Sequence, residues 1–324
     1  MMSPKTYLIT GTTSGIGLAL VKHLLSQSQN VIATGRNITS RFPPSLLSSH
    51  PNNLKLLELD LTAPLPTLQS IAASAWALFP GGIDILFNNA GMSAMKSCEE
   101  ASDDYITTIF TANLFGPMRL TQALLPLLRT KSTTTNPAVI AFTSSSTAWT
   151  PLPFMSHYAS SKAALSTYIE ALAKELAPFG VGVVGFECGG CATNLGQPRE
   201  ETTPNNNSSS STTGLLDQKQ QQETVYDDGL AKLVGMFTRD PMAYMPGDAD
   251  KVARTMAEVV QKLNGGEKVP SRVVLGSDAW ESVKQKVEET AQVLEDWKAV
   301  SWGTDREGVK GGCEADYLRA VSIL

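Results

Sequence analysis

Histidine and cysteine are scarce in this chain: three of one and four of the other among 324 residues. So few ligand-type side chains leave little material for a metal centre or a disulfide framework, and no metal is expected. His23, His50 and His157 are far apart, and only Cys188 and Cys191 come close together, as a single C-x-x-C. That pair reads either as two free thiols in a loop or as half of a zinc or thioredoxin-like motif whose other half is missing. A basic excess is also lacking. Lys and Arg number 26 against 31 Asp and Glu, for a net charge of −5. A nucleic-acid partner is therefore not expected, because it would call for a basic stripe. No apolar run reaches the ~18 residues of a membrane span. The chain enters a strand-like run at once, which leaves no room for a signal peptide. These absences point to the cytosol, with peripheral attachment to a membrane left open. The 42% of hydrophobic residues suffice for one large core.

What is present is concentrated in a few short motifs. Lys5 to Thr10 read as a short buried strand. Gly11-Thr12-Thr13-Ser14-Gly15-Ile16-Gly17 follows, and then a helical pattern carried by Ile16, Leu20, Val21 and Leu24. Strand, glycine turn and helix in that order form a phosphate site. Gly11 permits a tight turn. Gly15 lets backbone approach a pyrophosphate, and Gly17 lets helix pack on strand. The first-turn amides and the helix dipole then face the phosphates. The spacing is G-x-x-x-G-x-G, not the usual G-x-G-x-x-G. Asn88-Asn89-Ala90-Gly91 follows a second apolar run, Ile83 to Phe87. Ser144-Ser145-Ser146 follows a third, Ala138 to Phe142. Tyr158 and Lys162 are four apart in HYASSK, so on a helix they share a face. A phenol of pKa ~10 is a poor acid or base at neutral pH, and an adjacent ammonium is expected to bring it down.

Taken together these residues resemble the short-chain dehydrogenase/reductase family. TGTTSGIG at 10–17 matches its cofactor turn, NNAG at 88–91 its sheet-stabilising and cofactor-lining motif, and Asp60-Leu61 its adenine contact. Asn113, Ser145, Tyr158 and Lys162 match its active-site asparagine, serine, tyrosine and lysine. The likeness runs from about residue 4 to about residue 196 and returns weakly further on. It implies a doubly wound parallel sheet, the Rossmann fold. It also implies cofactor contacts at Gly11, Thr13, Ser14, Gly15, Ile16, Gly17, Asp60, Leu61, Asn89, Ala90, Gly91, Tyr158, Lys162, Gly189 and Thr193. One stretch departs from the family pattern. In Glu187-Cys188-Gly189-Gly190-Cys191-Ala192-Thr193, Cys188 stands where proline is usual, so the loop loses proline's rigidity.

The second strand, Val31 to Thr34, ends in Gly35-Arg36-Asn37 with no carboxylate. A carboxylate there would favour NAD, whereas Arg36 can pair with a 2′-phosphate, so NADP(H) is the expected cofactor. The implied reaction is reduction of a ketone or aldehyde. Tyr158 gives the proton, Ser145 hydrogen-bonds the same oxygen, Lys162 supports both phenol and ribose, and Asn113 holds a water in a relay through Lys162. Two other functions stay open: a non-redox step on the same fold, and a nucleotide-binding regulator.

Strands are expected at 5–10, 30–34, 54–58, 83–87, 138–143, 181–186 and 271–275. Helices are expected at 15–28, 65–78, 103–129, 157–177, 226–237, 248–264 and 277–298. Alternation of this kind gives an α/β fold with a parallel sheet covered on both faces. The expected domain spans 1–302, followed by a tail over 303–324. Within it, the polar, low-complexity run 197–224 reads as an insertion without a fixed fold. The segment 225–246 reads as a lid over a hydrophobic small-molecule carbonyl substrate, its methionines and aromatics either walling a pocket or packing as core. The last helix carries Ala279, Val283, Val287, Ala291 and Leu294 at helical spacing, to cover a sheet edge or to pair with a second subunit in a homo-oligomer.

Overall fold

Parallel strands buried on both faces place one set of side chains above the sheet and the alternate set below. In the computed structural model, residues 3–93, 95–191, 193, 225–240 and 244–308 are described. Seven strands form one sheet: β1 (Thr6–Ile9), β2 (Asn30–Gly35), β3 (Leu54–Glu58), β4 (Ile85–Asn88), β5 (Val139–Ser145), β6 (Gly182–Cys188) and β7 (Arg272–Leu275). Their spatial order is β3-β2-β1-β4-β5-β6-β7, and every pairing is parallel. The order reverses between β1 and β4, which makes the switch point where such sheets bind ligands.

Side-chain parity separates two cores. Tyr7, Ile9, Val31, Ala33, Phe87, Ala141 and Phe186 face α1 (Gly15–Ser26) and, later in the chain, the helix Ala249–Asn264. Phe87 and Phe186 stack there at 5.9 Å between centroids. Leu8, Ile32, Leu86, Ile140, Phe142 and Val183 face the other side. Their cover is α4 (Leu65–Trp76), α6 (Gly116–Lys131) and α7 (Ser156–Leu176). Two short helices after β2, α2 (Ile38–Arg41) and α3 (Pro44–Ser49), were not expected. Glu58 at the end of β3 fixes the start of α2, because its carboxylate accepts from the amides of Asn37 and Ile38.

The glycine turn is tight for a measurable reason. Gly11 has φ +70, and a Cβ there would lie 2.7 Å from the Ala90 Cα. A Cβ on Gly17 would lie 2.2 Å from the Gly11 carbonyl oxygen. Strand, turn and helix close up only with hydrogen at both places.

One expected helix, 103–129, divides into three parts. α5 (Asp103–Phe110) runs into a π-helical turn, Thr111–Phe115, and α6 begins at Gly116. Pro117 has no N–H to offer the carbonyl of Asn113 four residues back, so the regular ladder fails there.

Two other strands run further than expected: β5 reaches Ser145, and β6 reaches Cys188, whose partners are Ser145 and Leu275. Beyond β6 come α8 (Asp227–Arg239), α9 (Ala249–Asn264), α10 (Ser277–Asp296) and α11 (Lys298–Trp302). Among the described residues no helix is long and apolar enough to cross a membrane. The run 197–224, residues 241–243 of the lid segment and 309–324 of the tail lie outside the described residues.

Candidate active site

The twelve expected cofactor residues from Gly11 to Gly91, together with Thr193, line a single cleft at the carboxyl edge of the sheet. Gly11, Thr13, Ser14, Gly15, Ile16 and Gly17 form its floor. Arg36, Asp60 and Leu61 form one end, and Asn89, Ala90, Gly91 and Thr193 the other. Thr193 closes over the turn: a Cβ on Gly15 would lie 3.1 Å from its Cβ. Gly189 is not part of this lining. It packs against Asp278, and its amide donates to the Leu275 carbonyl at 2.8 Å. Arg41, on α2, was not expected and joins Arg36 at the cleft. These groups suit a nicotinamide dinucleotide: a glycine turn at a helix start and two guanidinium groups at the β2 end.

A chain of hydrogen bonds ties the turn to the Tyr-Lys helix. The Asn89 side-chain amide donates to the carbonyls of Thr10 at 3.0 Å and Gly11 at 3.2 Å. Thr143 Oγ1 donates to Asn89 Oδ1 at 3.1 Å. Lys162 Nζ donates to the Thr143 carbonyl at 2.9 Å. Asn113, fully buried in the π turn, clamps the neighbouring strand end. Its Oδ1 accepts from the Met92 amide at 2.8 Å, and its Nδ2 donates to the Met92 carbonyl at 2.9 Å and to Ser161 Oγ at 3.0 Å. Ser161 in turn donates to the Tyr158 carbonyl at 2.7 Å. A Cβ on Gly91 would lie 3.3 Å from Asn113 Oδ1 and 3.4 Å from Lys162 Nζ, so those two groups flank one point.

Ser145 lies close enough to Tyr158 to bear on its phenol. Lys162 Nζ lies 6.0 Å from the centre of the Tyr158 ring. The four expected catalytic side chains are therefore brought together. Their electrostatics differ from expectation in one respect. Burial pushes the Tyr158 phenol up to about 12, and the group that pulls it down is Ser145 rather than Lys162. Burial likewise pulls Lys162 down to about 8, partly opposed by Cys188. Desolvation disfavours whichever form is charged, so the two groups move in opposite directions.

The loop after β6 is held despite its missing proline. Gly190 N donates to Asp278 Oδ2 at 2.7 Å, and Gly247 N donates to the Gly190 carbonyl at 2.9 Å. Cys98, Cys188 and Cys191 are free thiols, and Cys313 lies outside the described residues. Burial pushes Cys188 up to about 12 and Cys191 up to about 11. Neither has the low pKa of a redox-active C-x-x-C.

Two features were missed in the sequence. Buried Glu187 accepts from Ser166 Oγ at 2.8 Å, from Arg272 Nε at 2.8 Å and from the Trp149 indole. The Arg272 guanidinium lies 4.2 Å from the centre of the Trp149 ring. This network fixes the segment just after Ser145 against β6 and β7. Its members are far apart in the chain, and only an acid inside an apolar strand could have signalled it. The second is an apolar cluster around Tyr158. Met95, Ile109 and Met155 are buried with it, and Met92, Phe154, Leu230, Leu233 and Val234 pack against them. Helix α8 thus supplies apolar residues to the cluster around Tyr158. Met236 and Tyr244 are exposed instead, and Met242 lies outside the described residues.

Comparison with known proteins agrees with this architecture. Residues 5–204 match the short chain dehydrogenase family. Human 17-beta-hydroxysteroid dehydrogenase type 1 is 33% identical over 211 residues, covering 61% of this chain and 62% of that protein. The NADPH-dependent 1-acyldihydroxyacetone phosphate reductase of Saccharomyces cerevisiae is 30% identical over 196 residues, covering 60% of this chain and 64% of that one. The chain thus matches less than two thirds of the length of either relative. A solved short-chain dehydrogenase from Streptomyces avermitilis superposes with a TM-score of 0.76 at 28% identity, covering 94% of this chain and 100% of its own. The chain belongs to the short chain dehydrogenase family of oxidoreductases.

Proposed function

We propose that this oxidoreductase is an NADPH-dependent carbonyl reductase acting on a hydrophobic small molecule. One observation carries the reading: Tyr158 belongs at once to a polar constellation with Ser145 and to an apolar cluster of methionine, phenylalanine and leucine. A carbonyl substrate with an apolar body fits both sides of that phenol.

A reduced nicotinamide held in the cleft by the glycine turn would supply the hydride. The chain's own residues manage the oxygen. Tyr158, kept protonated at neutral pH by burial, gives its proton to the developing alkoxide. Ser145 hydrogen-bonds that oxygen as its charge grows. Lys162, anchored on the Thr143 carbonyl, supports the phenol and the ribose hydroxyls. Asn113 holds a water that refills the proton through Lys162. Gly11 to Gly17 bind the pyrophosphate, Arg36 with Arg41 the 2′-phosphate, Asp60 and Leu61 the adenine, Asn89 to Gly91 the inner ribose side, and Thr193 the nicotinamide amide. Lid segment 225–246 closes the apolar side, and residues 1–302 act as one domain ahead of the tail 303–324. The chain works as a non-spanning protein of the cytosol and forms homo-oligomers.

Two relatives support this reading, one named for hydroxysteroids and one for an NADPH-dependent ketone reduction on an acylated substrate. The test is loss of reduced-nicotinamide absorbance with a panel of steroid, retinoid and acyl ketones. NADPH oxidation with at least one apolar ketone is expected. Tight NADPH binding without oxidation across the panel would sink the proposal.

A further inference from the structure

Ser145 Oγ has two donors inside the protein, and both belong to one residue. The Thr147 amide donates to it at 3.2 Å and the Thr147 hydroxyl at 2.9 Å. A serine hydroxyl carries two lone pairs and one proton. With both lone pairs taken, the proton is what it has left to offer. Capping accounts for the amide bond, since Ser145 stands at the start of the short 3-10 turn Ser146–Ala148. Capping does not account for the second bond, because it asks for no hydroxyl on the residue two positions on.

The turn is pinned at both ends. Before it, Ser144 Oγ lies 2.9 Å from Ser166 Oγ and donates to the Lys162 carbonyl at 3.4 Å, both on the helix that carries Tyr158. After it, the amides of Trp149 and Thr150 donate to the Ser146 carbonyl at 2.9 Å and 3.0 Å. The Trp149 indole donates to buried Glu187, and Arg272 both pairs with that carboxylate and covers the indole ring. Ser145 is buried and Thr147 half-buried, so water has little access to compete for the same lone pairs. The bond left for Ser145 to make is a donation, and Tyr158 is the functional side chain it bears on. A growing alkoxide is stabilised by donors and gains nothing from a lone pair turned toward it.

We propose that Thr147 is a positioning residue for the reaction: its two donations fix Ser145 as a hydrogen-bond donor and reserve the serine proton for the substrate oxygen. Its effect on rate rests on the carbonyl reductase reading above, and its geometry does not. Two measurements on the full chain separate these. The first is a joint X-ray and neutron map of crystals exchanged into heavy water. Deuterium is expected on the line from Thr147 Oγ1 to Ser145 Oγ, with the Ser145 deuteron off that line. A Ser145 deuteron aimed at Thr147 Oγ1 would overturn the proposal. The second is kinetic. Thr147→Val keeps the shape and the amide and loses the hydroxyl. It should lower kcat for an apolar ketone about tenfold, with KM and NADPH binding unchanged, and Thr147→Ser should restore most of the rate. With Ser145 already changed to alanine, Thr147→Val should cost nothing more. An undiminished kcat in Thr147→Val would overturn the proposal. So would an equal loss in the Ser145→Ala background, which is what a merely structural role gives. A wild-type chain that reduces no ketone would defeat the reductase reading instead, and the neutron map would then decide the role of Thr147.

Discussion

The two sides of Tyr158 are built differently. On one side the cleft is organised by backbone: glycines without room for a Cβ, and asparagine, threonine and lysine side chains bonded to named carbonyls. On the other side the wall is built of side chains from β4's loop, α5, the segment before α7 and α8, joined only by apolar contact. A backbone-built site accepts few replacements, because each part has one geometry. An apolar wall accepts many, since packing rewards volume more than identity. The contrast teaches where the chemistry is fixed and where the substrate range can drift.

The sharpest way to break this contrast is at Gly17. In Gly17→Ala a methyl group would collide with the Gly11 carbonyl, 2.2 Å from the Cβ position. A clash of that kind costs about 3 kcal/mol, and NADPH affinity in a fluorescence titration should fall about a hundredfold. Unchanged affinity would show the turn to be looser than drawn. Arg36→Asp comes next. It should weaken NADPH about tenfold or more while sparing NADH, since only the phosphate is lost as a partner. Equal loss of both would remove Arg36 from cofactor selection.

The pH profile tests the coupling between the two sides. Reduction needs the proton that Tyr158 gives and the charged ammonium behind it. Lys162, pulled down to about 8, loses its charge as pH rises through that value. The reductive kcat/KM should therefore be flat on the acid side and fall above about pH 8, approaching tenfold per pH unit. A rate that stays level to about pH 10 would separate Lys162 from the reaction. The smallest effect belongs to the wall. Leu233→Ala should raise KM for an apolar ketone about fivefold, with NADPH affinity unchanged, as befits loss of roughly 1 kcal/mol of apolar contact. A loss in kcat alone would mean that Leu233 does more than fill space.

The same contrast governs what could be read from sequence. The inner strands were legible because parallel strands buried on both faces are short continuous apolar runs, and the half-buried edge strands β3 and β7 still carry leucine and valine runs. Gly11, Asn89, Tyr158 and Lys162 were legible because backbone-built sites leave residue-specific traces. The π turn was not, although Pro117 marks where the ladder must fail. Glu187, Arg272 and Trp149 were not, since three distant segments meet only after the sheet forms. The direction of the Tyr158 shift was misjudged because charge proximity shows in a motif, whereas depth of burial does not.

The most direct measurement is single-turnover reduction of a captured apolar ketone by Tyr158→Phe, with NADPH binding followed in the same sample. Loss of the phenolic proton should slow turnover by about a thousandfold while NADPH binds as before. A variant that reduces the ketone at close to the normal rate would contradict the account.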